Sequence, residues 1–437
     1  MRAAIRRLLS IGLELLLAIP IGLWLAVALL RARRADTLAR ARPRLCWQST
    51  PIKSLAYMSM AMRQAGYDSE TAVIDLYAIN RREDFDHVLL PPEGAGILTA
   101  FFWRRLMAYR FFCRSLSRYD VFFMYFDGGV LRQTLLSRWE LRLLKLANKR
   151  IVLMPYGSDA FVYDNVPVPM WRHALMMSYP ILGNHAARIE HRVRQMTRQA
   201  DIVVGCLVHF SSLPRWDMLP LTCYPVDTEA INPDAVLPPT VEGTIRIAHA
   251  ANHRGVKGTE FLVKAVDALR QQGYDIELDL IERVPNHEAL RRMGRADIYV
   301  DQLVMGYALA AQEAMALGRV VISPVDGLPE TDLFRTYSYL DECPIVSANQ
   351  RSIMQVLKAL IDNRRDWPAI GRASREFVVR RHSFSACSDM YRAILQRVWH
   401  GKQVDLMNYY HPVLSAAVDR RDVQAASIDQ PETSGEA

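Results

Sequence analysis

The sequence has few cysteines and no internal repeat. None of its six cysteines belongs to a Cys-x-x-Cys pair, which argues against a metal cluster or a redox-active dithiol. Most of them lie in apolar runs, where a free thiol behaves as a small buried hydrophobic side chain. We therefore predict a reducing compartment.

Metal-binding signatures are equally scarce. The segment Asp84–Asp86 contains one Asp-x-Asp, but it lies in a charged loop rather than after an apolar strand, so we interpret it as solvated surface. His249 and His253 flank a strand end and a loop, with no third ligand to complete a zinc site. We predict that the protein requires neither a metal ion nor an organic cofactor.

Length and charge define the broad class of the protein. The chain has 437 residues, which is too many for one compact core, so two domains with additional segments are expected. Its formal net charge is +8. A basic balance suits phosphorylated ligands, an anionic membrane surface or nucleic acid equally well.

A long apolar run, Leu8–Leu30, lies near the start of the sequence. Its length favours one membrane-spanning helix, and arginine is denser after the run than before it. That asymmetry predicts that the bulk of the protein lies on the cytoplasmic side of the inner membrane. Two alternatives stay open. Glu14 and Pro20 favour a re-entrant or interfacial helix, and small residues at 26–28 favour a cleaved signal peptide, although arginines follow directly.

Strands and helices alternate through most of the remaining chain. The predicted strands are continuously apolar, which is typical of parallel strands covered by helices on both faces. We predict an α/β protein with two doubly wound, Rossmann-like domains that face a cleft. The first includes a strand at Ala72–Tyr77 and one helix at Leu131–Ala147. The predicted segments are an anchor with a basic linker (1–43), a first domain (44–227), a second domain (228–380), closing helices (381–415) and a disordered tail (416–437).

The second domain begins with an anion-binding pattern. A strand runs into the loop Ala250–Gly258, and a helix opens at Thr259. Free backbone N–H groups and the helix dipole favour anions at such a place. Arg254 and Lys257 add two charges that suit a diphosphate. A surface loop with two solvated cations is an equally good interpretation of this loop by itself.

A second pattern follows in the segment Asp301–Gly318. A turn of small residues leads into a helix on which Glu313 is the one acidic residue among apolar neighbours. A carboxylate in such surroundings usually has a partner, and a ribose diol can donate two hydrogen bonds to it. The alternative is that Glu313 lies on the exposed side of the helix.

The order and spacing of these segments resemble glycosyltransferase family 4. The similarity is strongest from Ile245 to Ser323 and continues weakly at Pro155–Asp159. It implies a GT-B fold and retaining transfer of a sugar from a nucleotide-sugar donor. The first domain would then face the acceptor and the second would bind the donor. The segments that carry the resemblance are Lys257–Thr259, Ala296–Ile298, Glu313–Gly318 and Val320–Ile322.

The resemblance also implies roles for single residues. Arg254 and Lys257 match the basic pair that binds the donor diphosphate and stabilises it as it leaves. Glu313 matches the second glutamate of the family's Glu-x7-Glu motif, which binds the ribose, whereas Met305 stands where the first glutamate is expected. Asp159 matches a catalytic-cleft position near the reacting sugar, and no general base is assigned. Backbone amides that approach the phosphates are implied at Gly306, Tyr307, Ala308 and Leu309.

A predicted helix of the first domain, Ile97–Leu116, is rich in aromatic and basic residues. It is either a core helix with a solvated basic side or a helix that rests on anionic lipid. Aromatic residues mixed with arginine also occur in nucleic-acid sites, but no nucleic-acid motif accompanies them, so no such partner is expected. The predicted membrane-facing residues are Arg104, Arg110, Arg114 and Arg118, with a second stripe of Arg138, Arg142, Lys145 and Lys149.

The anchor and the resemblance together predict a membrane-associated glycosyltransferase with a lipid-linked or polysaccharide acceptor in cell-envelope glycan synthesis. Two alternatives remain. Met305 favours a non-catalytic GT-B-like subunit of a polysaccharide assembly complex. A nucleotide-sugar epimerase has the same fold and would not need an anchor.

Overall fold

The protein is described here by a computed structural model that covers residues 12, 14–34, 40–77, 80–231, 238–306 and 308–416, apart from the side chains of Leu98 and Ala416. Three sequence predictions fall wholly or partly outside these residues. They concern Tyr307, the first part of the run Leu8–Leu30, and the tail after 416.

The first half of the chain builds a six-stranded parallel sheet in the order β3-β2-β1-β4-β5-β6. Its strands are β1 (Leu45–Ser49), β2 (Ser69–Val73), β3 (His87–Val88), β4 (Val121–Met124), β5 (Arg150–Leu153) and β6 (Ile202–Val203). Its helices are α1 (Ala18–Arg34), α2 (Lys53–Gln64), α3 (Ile97–Arg118), α4 (Glu140–Leu146), α5 (Pro169–Ser178), α6 (Pro180–Gly183) and α7 (Ala186–Gln199).

The second half builds a five-stranded parallel sheet in the order β11-β10-β9-β7-β8. Its strands are β7 (Ile245–Ala250), β8 (Ile276–Ile281), β9 (Ile298–Val300), β10 (Val320–Ser323) and β11 (Val346–Ser347). Its helices are α8 (Arg254–Lys257), α9 (Thr259–Gln271), α10 (Asn286–Met293), α11 (Leu309–Ala316), α12 (Pro329–Tyr337), α13 (Ile353–Asp362), α14 (Trp367–His382) and α15 (Phe384–Val398). The predicted α/β class with two parallel sheets is confirmed.

Both faces of the first sheet are buried, which explains why its strands are apolar without alternation. On β1, Cys46 belongs to the core on one face, whereas Trp47 belongs to the core on the other. The indole of Trp47 stacks on Phe123 with ring centroids 3.9 Å apart. The closing helix α15 packs against α2, and its Tyr391 is fully buried in this second core.

Two predicted elements differ from the structure. Leu131–Ala147 is not one helix, because the buried Glu140 carboxylate accepts backbone hydrogen bonds from Gly129 and Leu131 at 3.0 and 3.1 Å. Those amides are therefore held outside the helix, which begins only at Glu140. The predicted strand Ala72–Tyr77 lies earlier, at Ser69–Val73, where five residues pair with β1.

The N-terminal helix α1 packs along α3. Just before it, the buried Glu14 accepts hydrogen bonds from Arg105 Nε at 3.0 Å and from the Tyr109 hydroxyl at 2.5 Å. In the described part of the chain, no helix has both the length and the apolarity that crossing a membrane requires. The predicted spanning helix within 1–43 is therefore not supported, because the described part of this segment is built against the first domain.

A buried carboxylate, Asp120, joins the start of the first domain to three strands. Its side chain is fully buried and accepts hydrogen bonds from Arg40 Nη1 and the Arg44 backbone, both at 2.9 Å. The buried Lys149 ammonium lies 3.8 Å away. Burial lowers the pKa of Lys149 to about 8, although the Asp120 charge opposes this shift.

We expect Asp120→Asn to lower the free energy of unfolding by about 3 kcal/mol, since it leaves Lys149 buried without an opposite charge. Urea unfolding of the purified chain measures the change. Adding Lys149→Met should restore part of the stability. Asp68→Asn is the matched control, because Asp68 forms a largely exposed pair with Arg118 and should cost under about 1 kcal/mol. Equal effects of the two Asp→Asn changes would contradict this role of Asp120.

Candidate functional site

Two adjoining cavities lie between the carboxyl ends of the two sheets. The first has a volume of about 440 Å³ and the second about 490 Å³. Loops after β1, β5, β7 and β9 contribute to both, so each cavity has walls from both halves of the chain. The shared wall residues are Ile52, Tyr156, Tyr224, Asn252 and Ala308. Such a cleft between doubly wound domains is a usual place for a ligand.

Glu313 lies in the wall of the first cavity. Glu313 is only 3% exposed, which excludes the alternative of a solvated glutamate on the outer side of the helix. Its Oε1 accepts a hydrogen bond from Asn286 Nδ2 at 3.0 Å. Burial raises the pKa of this carboxyl to about 7, against the opposing effects of Asn286 and the Lys53 charge. The site therefore holds an acceptor of hydrogen bonds in an environment from which water is largely excluded.

Asp301 connects the two segments that the sequence marked as a site. It follows β9 directly, is fully buried, and accepts a hydrogen bond from Lys257 Nζ at 2.5 Å through Oδ1. Its Oδ2 accepts one from the Ala308 amide at 2.9 Å. Sequence reasoning missed this residue. The available signal was an acidic residue placed directly after an apolar strand.

The loop before α9 is fixed by two close contacts. The φ of Gly258 is +71°, and a Cβ there would lie 2.9 Å from Leu303 Cβ, so glycine is needed to turn α8 into α9. His249 is buried between the Val300 carbonyl and the Thr259 hydroxyl, at 2.7 and 2.9 Å. Burial lowers its pKa to about 4. His249 is thus a neutral structural residue rather than half of a metal pair.

The predicted basic pair is split by the structure. Lys257 lines the second cavity. Arg254 lines neither cavity, and its exposed guanidinium pairs with Glu260 Oε1 at 2.7 Å and Glu282 Oε1 at 2.8 Å. Only the lysine of the pair faces the space where a ligand would lie.

The turn between β9 and α11 lies where the sequence predicted it. Ala308 and Leu309 line the first cavity, and Met305 lines the second. A Cβ on Gly306 would lie 2.9 Å from Leu207 Cδ2, so the turn packs closely on the first domain. Tyr307, between them, is outside the described residues.

Asp159 does not face the cleft as predicted. It is 2% exposed, and its carboxylate accepts backbone hydrogen bonds from Phe126, Tyr156 and Gly157 at 2.8–3.0 Å. Burial and the nearby Asp127 raise its pKa to about 7. Because three amides occupy this carboxylate, it shapes the loop that carries Tyr156 and does not itself reach the cavity.

The second cavity has a polar wall that sequence reasoning did not identify. His209 is buried beside it and stacks on Phe161 at 4.6 Å, and the Gly157 backbone is a hydrogen-bonding neighbour of its ring. Burial lowers its pKa to about 3, so the ring is neutral. A lone histidine in an apolar segment gives no sequence signal. Other polar wall residues are Ser158, Thr222, Asn252, His253 and Gln302.

The predicted membrane-facing arginines differ in their surroundings. Arg110 and Arg114 are exposed and make no ion pair within the described part of the chain. Arg104 pairs with Asp75, whereas Arg118 pairs with Asp68 and Glu70. In the second stripe Lys149 is buried and Lys145 pairs with Asp201, which leaves Arg138 and Arg142 as its exposed members. Only part of each predicted stripe is therefore exposed and without an ion pair in the described structure.

No protein-family model matches the chain, and no curated protein matches it in sequence. Among the described residues, no group of three side chains could hold a metal ion. Solved structures share its fold. One is an alpha-glucosyltransferase in complex with UDP-glucose and DNA containing an abasic site, at 11% identity and a TM-score of 0.51. Another is Anabaena Alr3699/HepE in complex with UDP-glucose, at 10% identity and a TM-score of 0.52.

Each alignment covers 81% of this chain and 99% of the other. At such low identity the likeness establishes the fold alone. That fold is the predicted GT-B architecture of two parallel α/β domains.

The raised pKa of Glu313 predicts a pH-dependent effect on stability. A carboxyl whose folded pKa is near 7 and unfolded pKa near 4.5 stabilises the fold fully below the lower value and loses that contribution as pH rises through the higher. Between about pH 5 and pH 8, wild type should lose roughly 3 kcal/mol relative to Glu313→Gln. Urea unfolding of both proteins across this range measures the difference. Parallel stability curves would show that the carboxyl titrates normally.

Proposed function

We propose that the protein is a glycosyltransferase that takes its sugar from a uridine diphosphate sugar. The observation that supports this most directly is the arrangement of the second domain. A buried carboxylate lines one cavity, a lysine lines the next, and a turn held by Asp301 separates them. This order suits the ribose, diphosphate and sugar of one extended donor. Two proteins with this fold are complexes with UDP-glucose.

The nucleoside would occupy the first cavity. Glu313 would accept hydrogen bonds from the ribose hydroxyls while it keeps the hydrogen bond that Asn286 donates to it. The base would lie along the loop after β8, where Arg283, Val284 and Pro285 line the cavity. Charged hydrogen bonds of this kind contribute about 1.5–3 kcal/mol each when buried.

The diphosphate would lie at the turn between the cavities. Lys257 is a cation in contact with this space, and Ala308 borders it. The N-terminus of α9 adds its dipole. Arg254 reaches the phosphates only if it leaves Glu260 and Glu282. Stabilising charge on the leaving diphosphate is then the main contribution to catalysis, and no metal ion is required.

The transferred sugar would occupy the second cavity. Met305 is buried among Trp171, Leu175 and Val304, so it offers no hydrogen bond in place of the motif glutamate. We assign recognition of the sugar hydroxyls to polar groups of the first domain instead, with His209 the best placed of them. Family 4 membership and retention of configuration remain part of this proposal, as do a lipid-linked or glycan acceptor and a role in cell-envelope glycan synthesis.

A second candidate is a non-catalytic nucleotide-binding subunit, which the loss of the motif glutamate at Met305 favours. Incubation with a panel of UDP-sugars separates the candidates. Release of UDP with slow sugar hydrolysis indicates a transferase, interconversion of two UDP-sugars indicates an epimerase, and binding without turnover indicates the subunit.

Two substitutions should divide binding from turnover. Glu313→Ala should weaken UDP binding at least about tenfold, measured by calorimetry, since buried charged hydrogen bonds are lost. Lys257→Ala should lower turnover more than UDP affinity, because the leaving diphosphate gains charge in the transition state. Met305→Ala is the control and should leave UDP affinity unchanged. Equal UDP affinity of wild type and Glu313→Ala would contradict the assignment of the nucleoside site and leave only the shared fold in support of the proposal.

His209→Phe tests the sugar pocket. Phenylalanine keeps the stacking on Phe161 and removes both ring nitrogens. We expect UDP affinity to stay within about twofold while KM for the UDP-sugar rises roughly tenfold, since about 1.4 kcal/mol is a factor of ten. Loss of UDP binding in this variant would show that His209 contacts the nucleotide rather than the sugar. An unchanged KM for the UDP-sugar would show that His209 contacts neither.

A further inference from the structure

Helix α1 and the residues just before it have two apolar faces, of which the protein covers one. Ala28 and Ala32 are buried in the first-domain core, and Ile21 and Leu25 pack against it. The opposite side carries exposed apolar residues at intervals of three or four: Leu16, Ile19, Leu23, Val27 and Leu30. A helix that is apolar all round needs apolar surroundings on every side.

Two neighbouring segments continue this exposed surface. Both α3 and α4 contact α1, and each brings further exposed apolar side chains. We call the combined surface the apolar face. Its members are Leu16, Ile19, Leu23, Trp24, Val27, Leu30, Phe102, Trp103, Leu106, Leu135, Trp139 and Leu146. A patch of this size on a folded protein marks a binding surface.

Tryptophan is concentrated on the apolar face. The chain has eight tryptophans, all within the described residues, and three of them are more than a third exposed. These are Trp24, Trp103 and Trp139, at 39%, 36% and 52%. Indole rings with one wet and one apolar side are typical of membrane–water interfaces. The clustering distinguishes this surface from the rest of the molecule.

The exposed charges on the three segments that carry the apolar face all have one sign. Within 14–34, 97–118 and 134–146 the only acidic residues are Glu14 and Glu140, and both are buried. The exposed basic residues of these segments that form no ion pair in the described structure are Arg31, Arg33, Arg34, Arg110, Arg114, Arg138 and Arg142. Two copies of this face would set arginine against arginine, whereas an anionic bilayer complements both its charge and its apolarity.

We propose that the apolar face seats the protein in one leaflet of an anionic bilayer, with α1 lying in the plane of the interface. The fixed position of Glu14 supports the in-plane arrangement. Its carboxylate is buried against Arg105 and Tyr109 of α3. Turning α1 across the bilayer would break this pair and leave a buried charge, which is strongly unfavourable. On α3 the outer stripe changes from Phe102 and Leu106 to Arg110 and Arg114, as in a helix that meets the interface.

This orientation bears on the acceptor. Arg104 of α3 pairs with Asp75, which also pairs with Arg132. Arg132 pairs in turn with Asp127, and Tyr156, a wall of both cavities, donates to Asp127 at 3.4 Å. Helix α3, which carries part of the apolar face, is therefore joined to the cleft by a short series of ion pairs and one hydrogen bond. This placement fits an acceptor embedded in the same leaflet. That inference rests on the proposed function, whereas the docking of the apolar face on a bilayer does not.

Quenching by brominated lipid tests docking with the unmodified chain. Vesicles of phosphatidylcholine and phosphatidylglycerol, with bromine on the acyl chains, should quench a part of the tryptophan emission, because three indoles enter the leaflet and five stay in the protein. Quenching should persist in about 1 M NaCl, where charges are screened within about 3 Å. Absence of quenching at low and high salt would overturn the proposal.

Paired substitutions locate the surface. Phe102→Ser with Leu106→Ser should weaken vesicle binding in high salt at least about tenfold. The matched control is Phe261→Ser with Met354→Ser, which removes exposed apolar residues of the second domain and should bind as wild type. Arg110→Glu with Arg114→Glu should weaken binding at low salt at least about tenfold, unlike Arg351→Glu with Arg372→Glu.

Other occupants give different results. If the apolar face joins two copies, the lipid-free protein is a dimer that Phe102→Ser with Leu106→Ser converts to monomer, and this overturns the proposal. Binding of duplex DNA that competes with vesicles and needs Arg110 and Arg114 would also overturn it. UDP affinity should be unchanged in every variant, since none of these residues lines either cavity. Failure of docking is thus distinct from failure of the proposed function.

Discussion

The buried carboxylate of Asp301 holds the cleft in shape. It is fully buried, so it must be neutralised where it lies, and Lys257 and the amide of Ala308 do so from two different segments. This one group thereby fixes the loop before α9 relative to the start of α11. Glu313, five residues after Ala308, then lines the first cavity, whereas Lys257 lines the second. The separation of the two cavities, which the proposed function assigns to the nucleoside and the sugar, depends on that bridge.

Sequence patterns revealed the parts of the site that regular structure positions. Glu313 stands on a helix whose other side chains, apart from Gln312, are small or apolar. Such a helix is buried on most of its sides, so the pattern favoured a carboxylate with a partner over an exposed one. Asp159 and Arg254 stand on loops, where the direction of a side chain depends on distant partners. The Asp159 carboxylate turns to three backbone amides, and Arg254 turns to Glu282, which is 28 residues away. Phe126 and Glu282 lie 33 and 28 residues from Asp159 and Arg254, so no local pattern contains these two partners, although Tyr156, Gly157 and Glu260 are close in sequence.

The N-terminal run shows the same limit for a larger element. Hydropathy and length favour a spanning helix. A stretch of sequence does not show which other segment packs against it, so the contact between α1 and α3 could not be predicted. In the folded chain Glu14 meets Arg105, 91 residues away, and α1 lies against α3 with half of its apolar surface covered. The residue that looked awkward in a membrane is the one that attaches the helix to the domain.

Pairing also explains what a net charge of +8 means for this molecule. The two basic residues of the predicted diphosphate pair are balanced from within the protein, Lys257 by Asp301 and Arg254 by Glu260 and Glu282. Under the proposed function, a diphosphate would therefore gain little from this pair at first contact, and backbone amides and the dipole of α9 would supply part of its binding. Charge that builds up during departure can draw Arg254 away from its glutamates, which would make this arginine more important in the transition state than in the ground state. The unpaired arginines around the apolar face have no such internal partners, so their charge remains available to an anionic surface.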